Sequence, residues 1–443
     1  MASAAEQLAA NINLSAFGKA KELQQRIWFT ILALIVYRLG TYIPIPGINI
    51  DAYAQIFESQ SGGLLGMINT FSGGAVSRLA VFTLTVMPYI SASIIMQLMQ
   101  ASVPSLQALK KDGEAGRKTL NQYTRYLTVI LAIVQAFSIA ISLQNSPNVV
   151  LDPGLFFQAS TVITLVSGTM FLMWLGEQIT ARGVGNGISL IIFAGIVSAL
   201  PGAVVQTLTM AQQGSLAPIA LLVIFALAVG VILFIVFIER SQRRLLIQYP
   251  KRQQGNKMMG GDSSFLPLKL NTAGVIPPIF ASSLLLLPAT MAGFSAQSGP
   301  DWLRVVVSAL GDGKPLYMIV YATGIIFFAF FYTSIVFNPK DTADNLRKNG
   351  GFLPGIRPGD RTAVYLDYVL TRLTTIGAIY LAAVCLMPVF VMKWYAVPYY
   401  LGGTSILIVV SVTMDTVAQI QSHLIAHQYE GLIKKSKMRG RRR

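Results

Sequence analysis

Residues 218–244 read PIALLVIFALAVGVILFIVFIERSQRR, an uncharged apolar run to Ile238 followed by Glu239 and then Arg240, Arg243 and Arg244. An α-helix crosses the hydrocarbon layer of a bilayer with about 20 residues, and this run supplies that length. Its basic end is the second half of the signal, because short loops rich in Lys and Arg stay on the cytoplasmic side. The same pairing of apolar run and basic stretch recurs along the whole chain.

Apolar runs of spanning or near-spanning length lie near residues 27–43, 79–103, 126–143, 156–175, 188–200, 218–238, 272–292, 316–337, 373–390 and 401–424. Of the 34 Lys and Arg residues, all but Arg38, Arg78, Arg304, Lys314 and Lys393 fall in the N-terminus to Arg26, 110–125, Arg182 alone, 240–269, 340–372 and 434–443. That alternation predicts an all-α integral membrane protein of ten transmembrane helices with both termini in the cytoplasm. The fifth run has few apolar residues before Pro201, so it is either a short span or borrows polar turns from its flank. Ten crossings divide into five and five, and an odd number per half gives the halves inverted topology. The expected organisation is a cytoplasmic segment 1–22, a first half 23–200, a second half 201–427 and a basic tail 428–443.

Composition agrees. Of the 443 residues, 53% are apolar and 12% charged, about half the charged share of a soluble domain. A net charge of +16 often marks a nucleic-acid binder, but here it sits beside apolar runs, where anionic lipid headgroups meet it. Cys385 is the only cysteine, so no disulfide framework exists, and no signal-peptide pattern precedes the first run.

Two elements do not fit plain spans. Residues 64–78, LLGMINTFSGGAVSR, are too short to cross and too apolar for a free loop; they read as a re-entrant piece lining a cavity. The loops 239–270 and 338–372 carry seven and six Lys and Arg residues, more than orientation needs. Asn338-Pro339, Leu353-Pro354-Gly355 and Arg357-Pro358-Gly359 give them turn chemistry. Ordered, basic, exposed loops suit docking of a soluble partner or RNA.

Catalytic and metal-binding constellations are absent from the sequence. His423 and His427 stand four apart, but Leu424 occupies the position of a metalloprotease glutamate, so no metal, cofactor or catalytic residue is expected. Gly183-Val184-Gly185-Asn186-Gly187 lacks the strand and the lysine of a phosphate loop, so the chain is not expected to be an enzyme or to hydrolyse ATP. No Asp, Glu, Lys or His lies near the middle of a span; Glu177, Asp415 and Arg38 lie toward ends. An ion-coupled pump needs such residues, which counts against the alternative of a small-molecule secondary transporter. What the spans hold instead is Ser91, Ser93, Gln97, Gln135 and Asn271, with Pro88, Pro277 and Pro278 expected to bend them. Bent helices with uncharged polar residues fit a gated passage.

Seven segments carry a family resemblance: Ile43-Pro44-Ile45-Pro46-Gly47, Phe71-Ser72-Gly73-Gly74, Met87-Pro88-Tyr89-Ile90-Ser91-Ala92-Ser93-Ile94, Trp174-Leu175-Gly176-Glu177-Gln178-Ile179-Thr180, Gly185-Asn186-Gly187-Ile188-Ser189, Thr342-Ala343-Asp344-Asn345-Leu346 and Gly355-Ile356-Arg357-Pro358-Gly359. Over about residues 23–437 the chain resembles the bacterial SecY family, central subunits of the Sec protein-conducting channel. The resemblance implies a clam-shell of two inverted five-helix halves around an hourglass pore that passes unfolded secretory chains and releases apolar segments sideways into the cytoplasmic (inner) membrane. It implies a pore ring of Val86, Ile90, Ile188, Ile192, Ile279 and Ile408, with Val86 standing where isoleucine is common. It further implies a plug at 64–78, including Phe71 and Ser72, with Gly73-Gly74 as its flexible end. A lateral gate would involve Ser91, Gln135 and Asn271, and partner docking Arg243, Arg244, Lys251, Arg252 and above all Arg357. The implied partners are the small membrane subunits SecE and SecG, the SecA motor ATPase, the ribosome, signal sequences with their nascent or preprotein chains, and anionic lipids.

Overall fold

The computed structural model describes residues 21–60, 69–146, 148–213, 218–250, 252–254, 257–259, 263–295, 314–395 and 403–440. Each of the ten apolar runs contains a helix, and seven helices among the described residues are long and apolar enough to cross a membrane. By contacts the chain divides into two compact units. One comprises Met1–Met96, Leu109–Val205 and Ile408–Arg443; the other comprises Gln97–Ala108 and Gln206–Leu407.

The first unit holds α1 (Lys21–Gly40), α2 (Ile50–Gln60), the start of α3 (Met87–Ser102), α5 (Glu114–Asn145), α6 (Leu155–Arg182), most of α7 (Gly187–Gln212) and nearly all of α13 (Gly403–Gly440); a short α4 (Pro104–Lys111) links α3 to α5. Ala132, Ala136 and Ala140 are fully buried at successive i+4 positions of α5. A stripe of small side chains lets neighbouring helices approach closely, and α5 packs on α6. A core of Ile45, Leu79, Leu84, Ala136, Leu143, Val149, Phe157 and Leu165 ties these helices to the connectors around them.

One expectation changes here, and one is resolved. The second run, 79–103, is helical only from Met87. Before that its backbone pairs with the connector after α1: Ile45 N–H donates to the Leu79 carbonyl at 2.9 Å and Val81 N–H to the Ile43 carbonyl at 2.9 Å. The fifth run gains its length by continuing through Pro201 to Gln212 as one helix.

The second unit holds α8 (Pro218–Arg240), α9 (Ile276–Ser295), α10 (Pro315–Val336), α11 (Pro339–Lys348) and α12 (Asp360–Tyr395). Helices α9, α10 and α12 pack on one another, with Phe280 edge-on to Phe328 at 5.8 Å between ring centroids. Only 6% of the most apolar window of α8 is buried by the rest of the chain. Ile219, Leu222, Phe225 and Phe237 are exposed along it, the pattern of a helix whose solvent is lipid.

The two basic loops form one body. Strands β1 (Gln242–Gln248) and β4 (Ser263–Lys269) pair antiparallel from Gln242 opposite Lys269 to Gln248 opposite Ser263, and β2 (Arg252–Gln254) pairs with β3 (Lys257–Met259) toward the tip. Gln248 and Phe352 exchange backbone hydrogen bonds of 2.9 and 3.0 Å, joining this hairpin to the second loop. Beneath that joint Leu245 and Leu268 meet Leu353, Leu366, Val369, Leu370 and Leu373. The turn chemistry works as the sequence suggests: Asn338 caps α11 by accepting from Lys340 N–H at 3.1 Å, with Pro339 at the first helical position.

Leu366 is fully buried in this small core, so Leu366→Ala removes packing worth about 2–5 kcal/mol. Trypsin is expected to cut within 239–270 several-fold faster in that variant while the helical part stays resistant; equal cutting of variant and parent would contradict the joint.

Candidate functional site

Val86 and Ile90 flank the start of α3, Ile188 and Ile192 lie on the first turns of α7, and Ile408 lies on α13, all in the first unit. Val86, Ile90, Ile192 and Ile408 are buried and Ile188 is half-buried. Ile279 belongs to α9 of the second unit and is half-buried. The prolines beside these positions start helices and do not bend them. Pro88 is the second residue of α3, and Pro277 and Pro278 the second and third of α9. In the first helical turn a missing N–H leaves no carbonyl without a donor, so proline fits there at little cost. These prolines thus mark helix starts, whereas Pro201 and Pro388 lie inside helices.

Between α2 and α3 the described part of the re-entrant piece is a helix end at Asn69–Phe71 followed by a knot of turns. Residues 64–68 lie outside the described residues. The Asn69 carbonyl accepts from Gly74 N–H at 2.9 Å and from the Ser72 hydroxyl at 2.9 Å, while Asn69 Oδ1 accepts from Ser77 N–H at 2.9 Å. The Thr83 hydroxyl donates to the carbonyls of Ala80 at 2.6 Å and Ala75 at 3.2 Å. Leu79 and Thr85 sit at φ 44° and 51° although neither is glycine. Such conformations are unfavourable by about 1–3 kcal/mol each and persist only where the surroundings enforce them. Phe71 and Ser72 are buried. A Cβ on Gly195 would collide with the Phe71 carbonyl oxygen, so α7 and this segment touch backbone to backbone three residues after Ile192. The Gly73-Gly74 pair is packed as well: Gly73 has φ 63°, and a Cβ there would lie 2.8 Å from Ser198 Oγ.

Of the polar residues marked in the sequence, Ser91 is buried on α3 and Gln135 half-buried on α5, both in the first unit. Asn271 is buried in the second, where its Nδ2 donates to Glu239 Oε1 at 2.7 Å and to the Gly274 carbonyl at 3.1 Å. Glu239 was legible only as the first charge after an apolar run; that its carboxylate meets Asn271 across 32 residues needs the hairpin between them. Glu177, marked as a span-end acid, forms a two-pronged pair with Arg125, Nε to Oε1 at 3.0 Å and Nη2 to Oε2 at 2.6 Å. Partly exposed pairs of this kind contribute at most about 1 kcal/mol.

On the joined loops Arg243 and Arg244 are exposed on β1, opposite Leu268 and Pro267. Arg252 lies in β2 opposite Met259, with its side chain outside the described residues, as is Lys251 altogether. Arg357 is exposed on a turn fixed from both sides. Leu353 and Ile356 pack into the small core, and the Arg357 carbonyl accepts from the Thr362 hydroxyl at 3.0 Å. This anchored turn thus presents an exposed arginine. Among the described residues no group of three or more His, Cys, Asp or Glu is placed to hold a metal ion.

The SecY family model matches residues 80–417. A protein translocase subunit SecY from Pseudomonas aeruginosa is 54% identical over 424 residues, covering 96% of each chain. Among solved structures, one of a SecY translocation channel, whose plug domain stabilises the closed state and maintains a membrane seal, superposes with a TM-score of 0.65 at 19% identity, covering 90% of this chain and 92% of its own. Sec61 in the canine ribosome–channel complex from the endoplasmic reticulum follows at 0.62 and 18%, with the same coverage. At these identities the superpositions establish the fold.

Backbone contact at Gly195 makes a direct prediction. In a chain whose buried Cys385 is replaced by Ala, Ser72→Cys should be labelled slowly by a soluble thiol reagent. Adding Gly195→Ala should speed labelling several-fold by pushing the Phe71 segment off α7; an unchanged rate would contradict the packing.

Proposed function

We propose, starting from the fact that this chain belongs to the SecY family, the parts by which it acts as a subunit of a protein translocation channel in the bacterial inner membrane. The pore ring consists of Val86, Ile90, Ile188, Ile192, Ile279 and Ile408. Aliphatic side chains block ions when idle, because a narrow apolar constriction dewets. The same side chains offer no charge to which a passing sequence would stick. The plug is 64–78, with Phe71, Ser72, Gly73 and Gly74 in its described part. Support comes from the helix end at Phe71, whose carbonyl touches α7 beside Ile192, and the turns that follow it; this observation carries the assignment.

The lateral gate involves Ser91, Gln135 and Asn271, opening between the second and third spans on one side and the seventh and eighth on the other. Uncharged hydrogen bonds in membranes contribute about 0.6–2 kcal/mol each, enough to close a gate and weak enough for an apolar signal sequence to displace. The Glu239 carboxylate bound to Asn271 adds a charged partner to this set. In the proposed topology both termini and the joined basic loops face the cytoplasm, and the chain repeats as inverted halves at 23–200 and 201–427. The loops dock the ribosome or the SecA motor, which supply the energy, through Arg243, Arg244, Lys251, Arg252 and Arg357. SecE and SecG complete the channel, and anionic lipids meet the basic flanks.

Arg357→Glu reverses the charge at an exposed tip whose anchoring residues are untouched. The variant is expected to fold and assemble normally yet lose at least ten-fold in SecA-driven transport into reconstituted vesicles, the cost of a charge-assisted contact turned repulsive. Transport at the parent rate would contradict docking through Arg357.

A further inference from the structure

We propose that Arg38 is a positioning residue for the plug, a latch that ties the plug's base to the first span and sets how strong a signal must be to open the channel. The inference rests on the plug assignment above. Arg38 stands in the last turn of α1. Its Nη1 donates to the Gly73 carbonyl at 2.5 Å and its Nη2 to the Tyr42 hydroxyl at 2.9 Å. The preceding residue, Tyr37, is fully buried and donates its hydroxyl to the Ser72 carbonyl at 3.2 Å. Two consecutive residues of α1 therefore hold two consecutive carbonyls of the plug.

On its other side the same turn is closed by α7, where a Cβ on Gly73 would lie 3.1 Å from Gly195 Cα. The left-handed φ of Gly73 is what aims its carbonyl at the guanidinium. A side chain at this position would strain that conformation and strike both jaws of the clamp. Leaving the seat means breaking the Tyr37 and Arg38 bonds together, so the pair acts as one latch.

The chemistry of the latch is asymmetric. Hydrogen bonds from a charged donor are roughly twice as strong as neutral ones, yet neither Arg38 nor Arg78 forms an ion pair among the described residues. Both guanidinium groups instead lie over the ring of Tyr42, at 4.8 and 4.1 Å from its centroid. Arg78 Nη1 is buried there without a hydrogen-bond partner among the described residues. A neutral acceptor on the plug holds Arg38 firmly but does not lock it as a buried carboxylate would. The bidentate span from Gly73 to Tyr42 needs the planar fork of arginine; a lysine ammonium supplies the charge from one point only.

The test uses the full-length chain in its native membrane complex, reconstituted in vesicles, with two preproteins that differ only in an intact or a weakened signal sequence. The readout is the ratio of weakened-signal to intact-signal transport, together with resting ion conductance. Arg38→Gln should raise the ratio about ten-fold, the factor that goes with losing one hydrogen bond from a charged donor. Arg38→Lys should fall between it and the parent. Tyr37→Phe, which deletes one oxygen from a side chain of unchanged shape, should move the ratio the same way by less, and it decides the matter if Arg38→Gln does not fold. A parallel loss of both substrates at constant ratio, the mark of a merely structural role, would overturn the latch. Phe71→Ala separates the two levels. If it raises the ratio while the Arg38 and Tyr37 variants do not, the plug stands and the latch is wrong. If it does not, the plug assignment itself falls.

Discussion

In a hydrocarbon layer there is no water to satisfy a backbone N–H or C=O, so every such group must find its partner inside the protein. This constraint shapes each part of the molecule. Where the chain is helical it is met within the helix. Where the described chain leaves helix, in the turns from Ser72 to Val86, side chains take over. Asn69, Ser72, Thr83, Tyr37 and Arg38 all bond to backbone groups there. The knot is therefore dense and strained, with left-handed backbone at Leu79 and Thr85, because so many partners must converge on so few residues.

The same constraint explains the division of labour along the chain. Most charge on the described residues lies in loops and at span ends, with Arg38 and Arg78, stacked over the Tyr42 ring, as exceptions. The joined hairpin and second loop carry the exposed arginines on a small apolar core of their own, outside the spans. The residues assigned to the passage are aliphatic or uncharged, which suits a channel that must pass chains of any sequence and bind none of them. Glu239 and Glu177 sit at span ends, each with a partner inside its own unit.

Much of the fold was legible in the sequence because helix length and loop charge are local signals. All ten apolar runs contain helices, and Asn338-Pro339 starts one as turn chemistry says. The misjudged features depend on context. Proline was read as a bend at Pro88, Pro277 and Pro278, but its effect depends on its place in a helix, and the start of that helix was not visible. The second run looked helical throughout because Ala80 to Val86 is apolar; its turns come from pairing with Ile43 and Ile45, some 35 residues earlier. Arg38 was legible as a span-end charge, but its hold on Gly73 is separated by 35 residues. Only the left-handed backbone of Gly73 completes it.

The central claim is that a secretory chain passes the aliphatic side chains at the start of α3. A photo-reactive amino acid placed at Ile90, with a secretory chain stalled in transit, tests it most directly. The stalled chain should cross-link at Ile90 and not at exposed, lipid-facing Ile163 of α6. Absence of a cross-link at Ile90, or equal yields at both positions, would contradict a passage at this ring.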